Sequence, residues 1–154
     1  MKLIDQIYVT EDVTLFSISD ITADIGHMAA IFRMIAEKGI DVDMISQTPS
    51  SGTGAGFSFT VSDSDFSPVL AIASEIRARD PKAKISVSSG NCKLTVSGEA
   101  MRGTPGVSAK VFQAAADAGA DVRMVTTSEI EIALLVFSQD VQNVIDAINA
   151  AFAE

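Results

Sequence analysis

The 154 residues are 47% hydrophobic, enough for a buried core in one domain or in two small ones. Twenty Asp and Glu against eleven Lys and Arg give a formal charge of −9, which repels nucleic acid and anionic membrane surfaces alike. The lone Cys92 excludes an internal disulfide, Asp5 interrupts what a signal peptide keeps apolar, and no apolar run approaches the ~18 residues of a membrane helix; a cytoplasmic chain is expected, with neither nucleic acid nor membrane as partner.

In chain order, alternation predicts a strand over residues 4–10 and another over 13–18. After Ala23-Asp24-Ile25-Gly26 comes a helix, with Met28, Ile31, Phe32 and Ile35 at i, i+3, i+4 and i+7. Gly39 sits just past its last turn, where a left-handed residue closes a helix without strain. A strand follows, with Val42, Met44 and Ser46 expected on one face. Gly52-Thr53-Gly54-Ala55-Gly56 has the glycines of a phosphate loop but neither a following Lys nor a following helix, so a hairpin connection is expected. The return strand covers 57–61. Phe66, Val69, Leu70 and Ala73 then mark a second helix, stopped at Asp80-Pro81-Lys82, and a strand runs over 84–87.

The second half repeats the first. A strand over 92–96 leads to a helix with Ser108, Val111, Phe112 and Ala115 on one face, and Gly119 closes it. Val122, Met124 and Thr126 alternate on the next strand, 130–134 is its return, and Val141, Val144, Ile145 and Ile148 mark the last helix. A shift of 80 positions sets Gly26 on Gly106, Ala29 on Ala109, Phe32 on Phe112, Ala36 on Ala116 and Gly39 on Gly119. It also sets Asp41, Val42 and Met44 on Asp121, Val122 and Met124. Helical patterning alone explains the apolar matches, but not a Gly at both ends of each helix with the same Asp-Val-x-Met behind it.

Each copy therefore runs strand, helix, strand, strand, helix, the plan of a split βαβ fold. The expected class is α+β: two ferredoxin-like βαββαβ units side by side, the first over 11–90 and the second over 91–154 with 1–10. The second copy lacks a final strand while 4–10 is a strand too many. Inserting the N-terminal strand into the second unit would close both accounts and cover an open sheet edge.

The run Glu99-Ala100-Met101-Arg102-Gly103-Thr104-Pro105-Gly106-Val107-Ser108-Ala109-Lys110-Val111-Phe112 resembles the start of the second ACT unit of aspartate kinase. Met124-Val125-Thr126-Thr127-Ser128-Glu129-Ile130 is similar to that family's strand signature, and Asp41-Val42-Asp43-Met44-Ile45-Ser46-Gln47 resembles the matching part of the first unit. The resemblance covers residues 4 to 152. It implies a paired regulatory module that forms a homodimer, takes an end-product amino acid such as lysine or threonine, and places its N-terminal strand in the second unit. No kinase signature is present, so the implied role is regulatory and non-catalytic, with an aspartate kinase catalytic subunit as partner. The family's Asp-x-Pro-Gly loop reads Ala23-Asp24-Ile25-Gly26 here, so its Asp and Pro are replaced.

A zwitterion needs donors for its carboxylate and acceptors for its ammonium. The first amides of a helix supply the donors, helped by the positive end of its dipole. Expected effector contacts are Asp24, Ile25, Gly26, His27, Met28 and Ala29 at the helix start, Gln47 and Thr48 on the neighbouring strand, and Asp121 with Val122 from the second unit. Each has a plainer reading beside it: Asp24 as a helix cap, Gln47 as a solvated strand residue, Asp121 as a turn former. No catalytic residue, cofactor or metal is expected. His27 is the only histidine and reads as an exposed helix-start residue; Cys92 and the methionines read as packing. Two other classes remain. One is an assembly module that binds no effector. The other is a small acyl-phosphate hydrolase, for which Arg102 with Asn91 is the only suitable pair. RNA recognition fails on charge and on the absence of stacking aromatics.

Overall fold

Two strands of 14 residues, β1 (Gln6–Ser19) and β4 (Lys84–Ser97), organise the computed structural model, which describes residues 2–21, 25–48 and 56–153. Four short strands were expected from the polar breaks near residues 11 and 90. Instead the chain stays extended through each break with a single left-handed residue, Asp12 at φ 57° and Gly90 at φ 74°. Asp and Gly are among the residues that tolerate this region, so the strand bends there without ending. The two compact units divide at the same places: one is Asp12–Ser89, the other Met1–Glu11 with Gly90–Glu154.

The unit Asp12–Ser89 contains α1 (Ile25–Glu37), β2 (Ile45–Thr48), β3 (Gly56–Ser62) and α2 (Phe66–Arg79), with strand order β2-β3-β1-β4. β3 runs antiparallel to both neighbours, pairing Phe59 with Phe16 of β1 and with Ile45 of β2. Phe16, Ile18, Phe57, Phe59 and Val61 present one sheet face to the helices, with Phe16 and Phe59 stacked at 4.7 Å between centroids. α1 buries Met28, Ile31 and Ile35, as its periodicity predicts. α2 buries Val69, Ile72, Ala73 and Ile76, and Leu70 is exposed. Both stripes fit a 3.6-residue repeat; packing against the sheet chose the one with four aliphatic or small members.

The other unit contains α3 (Val107–Asp117), β5 (Val122–Thr127), β6 (Glu131–Phe137) and α4 (Val141–Ala151), in strand order β1-β4-β6-β5. β1 here stands where β4 stands in the first unit, so the N-terminal strand completes this ferredoxin-like sheet. Ile4 is buried in its core, Leu3, Ile7 and Val9 pack at the edge, and the Asp5 amide donates to the Ser97 carbonyl at 2.8 Å. The approach is close: a Cβ on Gly98 would lie 2.0 Å from the Leu3 carbonyl oxygen. α3 buries Val107, Val111, Ala114 and Ala115, while Phe112 is 41% exposed, contrary to the repeat-based expectation. Its counterpart Phe32 packs on the rings of Phe57 and Phe59 at 5.5 Å. The second core holds Ile132 and Leu134 instead and buries no phenylalanine, so Phe112 has no matching slot.

Both first helices end alike. Gly39 and Gly119 have φ 72° and 71°, their amides return to Ala36 and Ala116, and the next amides, Ile40 and Ala120, return to Ile35 and Ala115. That double bond is the Schellman closure, with Gly free of strain in the left-handed region.

Candidate functional site

Strand β2 is preceded by a β-bulge, and the bulge decides which side chains face the helices. The Asp43 amide donates to the Thr60 carbonyl at 3.0 Å, and the Thr60 amide donates to the Met44 carbonyl at 3.0 Å. Two residues thus oppose one, which breaks the period of two. Val42 packs against the helix-side core, but Met44 is buried outside it. Beyond the bulge, Ile45 pairs with Phe59 and Gln47 with Phe57, so Ile45 and Gln47 take the helix side while Ser46 and Thr48 face away. The expected single face of Val42, Met44 and Ser46 is therefore corrected. The second copy has the same irregularity: Val122 pairs with Val136 and Met124 with Leu135, leaving Arg123 as the extra residue. Val122 and Val125 meet the helix-side core, and Thr126 pairs with Ala133 on the other face.

The expected contacts separate into groups. Asp24, with Ala23, lies outside the described residues, as do Gly52, Thr53, Gly54 and Ala55. Ile25 opens α1 and is 78% exposed. Gly26, His27 and Ala29 are exposed on the first turns, and Met28 turns its side chain into the core. Gly26 is the second residue of α1, whereas its repeat partner Gly106 stands outside α3 as a left-handed cap at φ 88°. The first turn of α1 carries no acidic residue. Gln47 is exposed beside Phe57, which pairs on its other side with Ile18, near the end of β1 that leads toward α1. Thr48 belongs to a different cleft of about 290 Å³ on the opposite sheet face, lined by the hydroxyls of Ser17, Ser19, Ser46 and Ser58 with Lys84. Lys84 Nζ is 3.0 Å from Asp20 Oδ2, and the Ser17 and Ser58 hydroxyls are 2.9 Å apart. Asp121 is exposed and Val122 half-buried, both in the other unit.

Arg102 and Asn91 do not form a phosphate site. Asn91 is fully buried on β4, six residues before Ser97 and roughly 20 Å from it at the rise of a strand. Arg102 follows the far end, where its Nε meets Glu99 Oε1 at 3.0 Å and its guanidinium also pairs with Glu129. Glu99 first, then Glu129, raises its pKa, so the charge is already matched by carboxylates. Among the described residues no three His, Cys, Asp or Glu side chains converge as metal ligands, and no helix is long and apolar enough to cross a membrane.

The ACT domain family matches residues 24–80 and again residues 94–152. The crystal structure of the regulatory subunit of aspartate kinase from Thermus thermophilus, in its ligand-free form, superposes at a TM-score of 0.87 with 27% identity, over 98% of this chain and 99% of that one. A crystal structure of aspartokinase alpha and beta subunits matches at 0.86 with 30% identity over 98% and 99%. The chain is a tandem ACT-domain regulatory region of the aspartate kinase family. Aspartokinase from Geobacillus stearothermophilus is 29% identical over 142 residues, 92% of this chain and 34% of that protein. The ACT pair thus spans about a third of such a curated relative. In the second ACT unit, the helix entry forms a cleft of about 430 Å³ with Thr104, Gly106, Ser108, Ser128 and Glu129 at its walls. In the sequence Thr60 of the first unit stands out only as one residue of a strand. Its place in a run of alternating phenylalanines was the available signal, since a Thr on a buried strand needs a hydrogen-bond partner.

Proposed function

We propose that this ACT pair senses an aspartate-family amino acid, lysine or threonine, and transmits its level to an aspartate kinase catalytic partner in the cytoplasm. The observation that carries the reading is the face of Gln47. It stands on the helix side of β2, at the end of the sheet toward which α1 begins. The first-turn amides of α1, at Ile25 and Gly26, suit the effector carboxylate, and Gln47 and Asp24 suit its ammonium; Met28 and Ala29 stand a turn in, where the amide bonds back within the helix. A homodimer is part of the reading, supported by two exposed isoleucines of the first unit, Ile25 and Ile45 at 78% and 50%. A monomer mass by light scattering at tens of micromolar would refute that part.

A thermal-shift panel of the twenty amino acids tests the sensor directly. An effector at about a hundred times its dissociation constant should stabilise the chain by ~2.7 kcal/mol, seen as a clear rise in Tm. Gln47→Ala should then weaken the responding amino acid about tenfold, since hydrogen bonds to charged groups contribute roughly 1.5–3 kcal/mol. A panel with no response sinks the sensor reading and leaves an assembly module.

A further inference from the structure

We propose that Thr60, which no ligand would touch, is the positioning residue of the sensor site, because its hydroxyl locks the bulge that turns Gln47 toward the helices. This rests on the sensor reading given above and adds to it the part of the structure that holds the contact in place.

Thr60 is fully buried and opposes both Asp43 and Met44. Its backbone makes the two bonds of the bulge, and its Oγ1 accepts a third, from the Met44 amide at 2.9 Å. In a bulge one amide has no ladder partner, and a buried amide left without an acceptor is costly. The Thr60 hydroxyl meets that need from the same residue that supplies the backbone bonds. β2 has only four residues and a single neighbouring strand, so little else holds it in its face assignment. A strand whose alternation slips by one residue turns every side chain over. For β2 that would carry Gln47 to the hydroxyl-lined face and bring Ser46 to the helices.

The second ACT unit supplies the contrast. Its bulge opposes Leu135, where the first unit has Thr60, and a leucine side chain has no acceptor. The bulge without a hydroxyl belongs to a longer strand, six residues in β5 against four in β2, so the short edge strand is the one that needs the added bond. This difference marks the first unit as the one whose edge strand is held for binding, although the repeat by itself would allow two equivalent sites.

Thr60→Val keeps the shape and removes the acceptor; Thr60→Ser keeps the acceptor and removes a methyl group. The ligand-free readout is the NMR cross-peak between the Gln47 side chain and the Phe57 ring, expected because directly opposed residues lie about 5 Å apart at Cβ. In Thr60→Val that cross-peak should vanish, and affinity for the amino acid found in the thermal panel should fall about tenfold or more. Thr60→Ser should keep the cross-peak and bind within about twofold of wild type, as hydroxyl rescue requires. Leu135→Thr should leave affinity unchanged.

The proposal is overturned if Thr60→Val retains cross-peak and affinity, or if Thr60→Ser is as impaired as Thr60→Val, since packing would then be the cause. Loss of the cross-peak without loss of affinity also overturns it, because Gln47 would not be a contact. If wild type binds no amino acid, the sensor reading falls with the ligand half of the proposal, and the cross-peak in the three proteins still decides whether Thr60 sets the face. Should Thr60→Val not fold, amide exchange in wild type decides: a Met44 amide that exchanges far faster than those of β3 defeats the lock.

Discussion

Tyr8 is the only tyrosine, and the chain has no tryptophan, so tyrosinate absorbance reports one side chain. Its hydroxyl donates to Glu131 Oε1 at 3.0 Å, across the junction of the N-terminal strand with the second ACT unit. Ionisation would lose that bond and set two negative charges together, so the phenol titrates above its ordinary value near 10. Glu131→Gln should move the midpoint down, and an unmoved midpoint would show that the contact is not formed in solution. Single residues were unevenly legible from the sequence. Gly39 and Gly119 were readable as helix closers because the requirement for a left-handed residue is local. Gly98 was not, since what excludes a side chain there is the Leu3 carbonyl, 95 residues away in the chain.

At the scale of elements, the two copies share a plan but not a core. Phe32 packs on Phe57 and Phe59, whereas Phe112 is 41% exposed over a core of Ile132 and Leu134. Phe32→Ala should therefore cost about 2 kcal/mol, below the ~3–5 of a fully buried phenylalanine. Phe112→Ala should cost under about 1 kcal/mol. Urea unfolding of both variants checks the asymmetry; equal losses would mean that the second helix packs more deeply than described. The helix faces illustrate what a periodic pattern can settle. It located α1 and α4 well, because their apolar stripes have one good solution. For α2 it offered two overlapping stripes, and the sheet beneath selected Ile72 and Ile76 over Leu70.

For the whole molecule, the N-terminal strand is the decisive connection. Residues 1–11 belong to the unit that begins again at Gly90, with Ile4 in its core and Leu3, Ile7 and Val9 against it. Deleting residues 1–10 should remove more than about 3 kcal/mol, given roughly 1.5–3 kcal/mol for each well-buried aliphatic side chain. It also opens the edge of β4, so aggregation on heating is expected with the lower Tm. A truncated chain that melts like the full one would show that the strand contributes nothing to the unit. The strand count makes this insertion legible in the sequence, because an incomplete sheet and a surplus strand in one chain have few other solutions.

The repeat, the order of elements in each ACT unit and the glycine closures of the first helices are legible in the amino-acid sequence. These depend on interactions within a few residues, or on a count that no folding detail alters. The face of β2 is set by long-range contacts instead. An alternating pattern assumes one residue per partner, and the bulge at Asp43 and Met44 inserts one more. Thr60 lies 16 positions beyond Met44, so neither local propensity nor periodicity places its hydroxyl at that amide. Folding brings the two together. It thereby moves Gln47 to the helix side and Ser46 away from it, which no reading of residues 42–48 alone could assign.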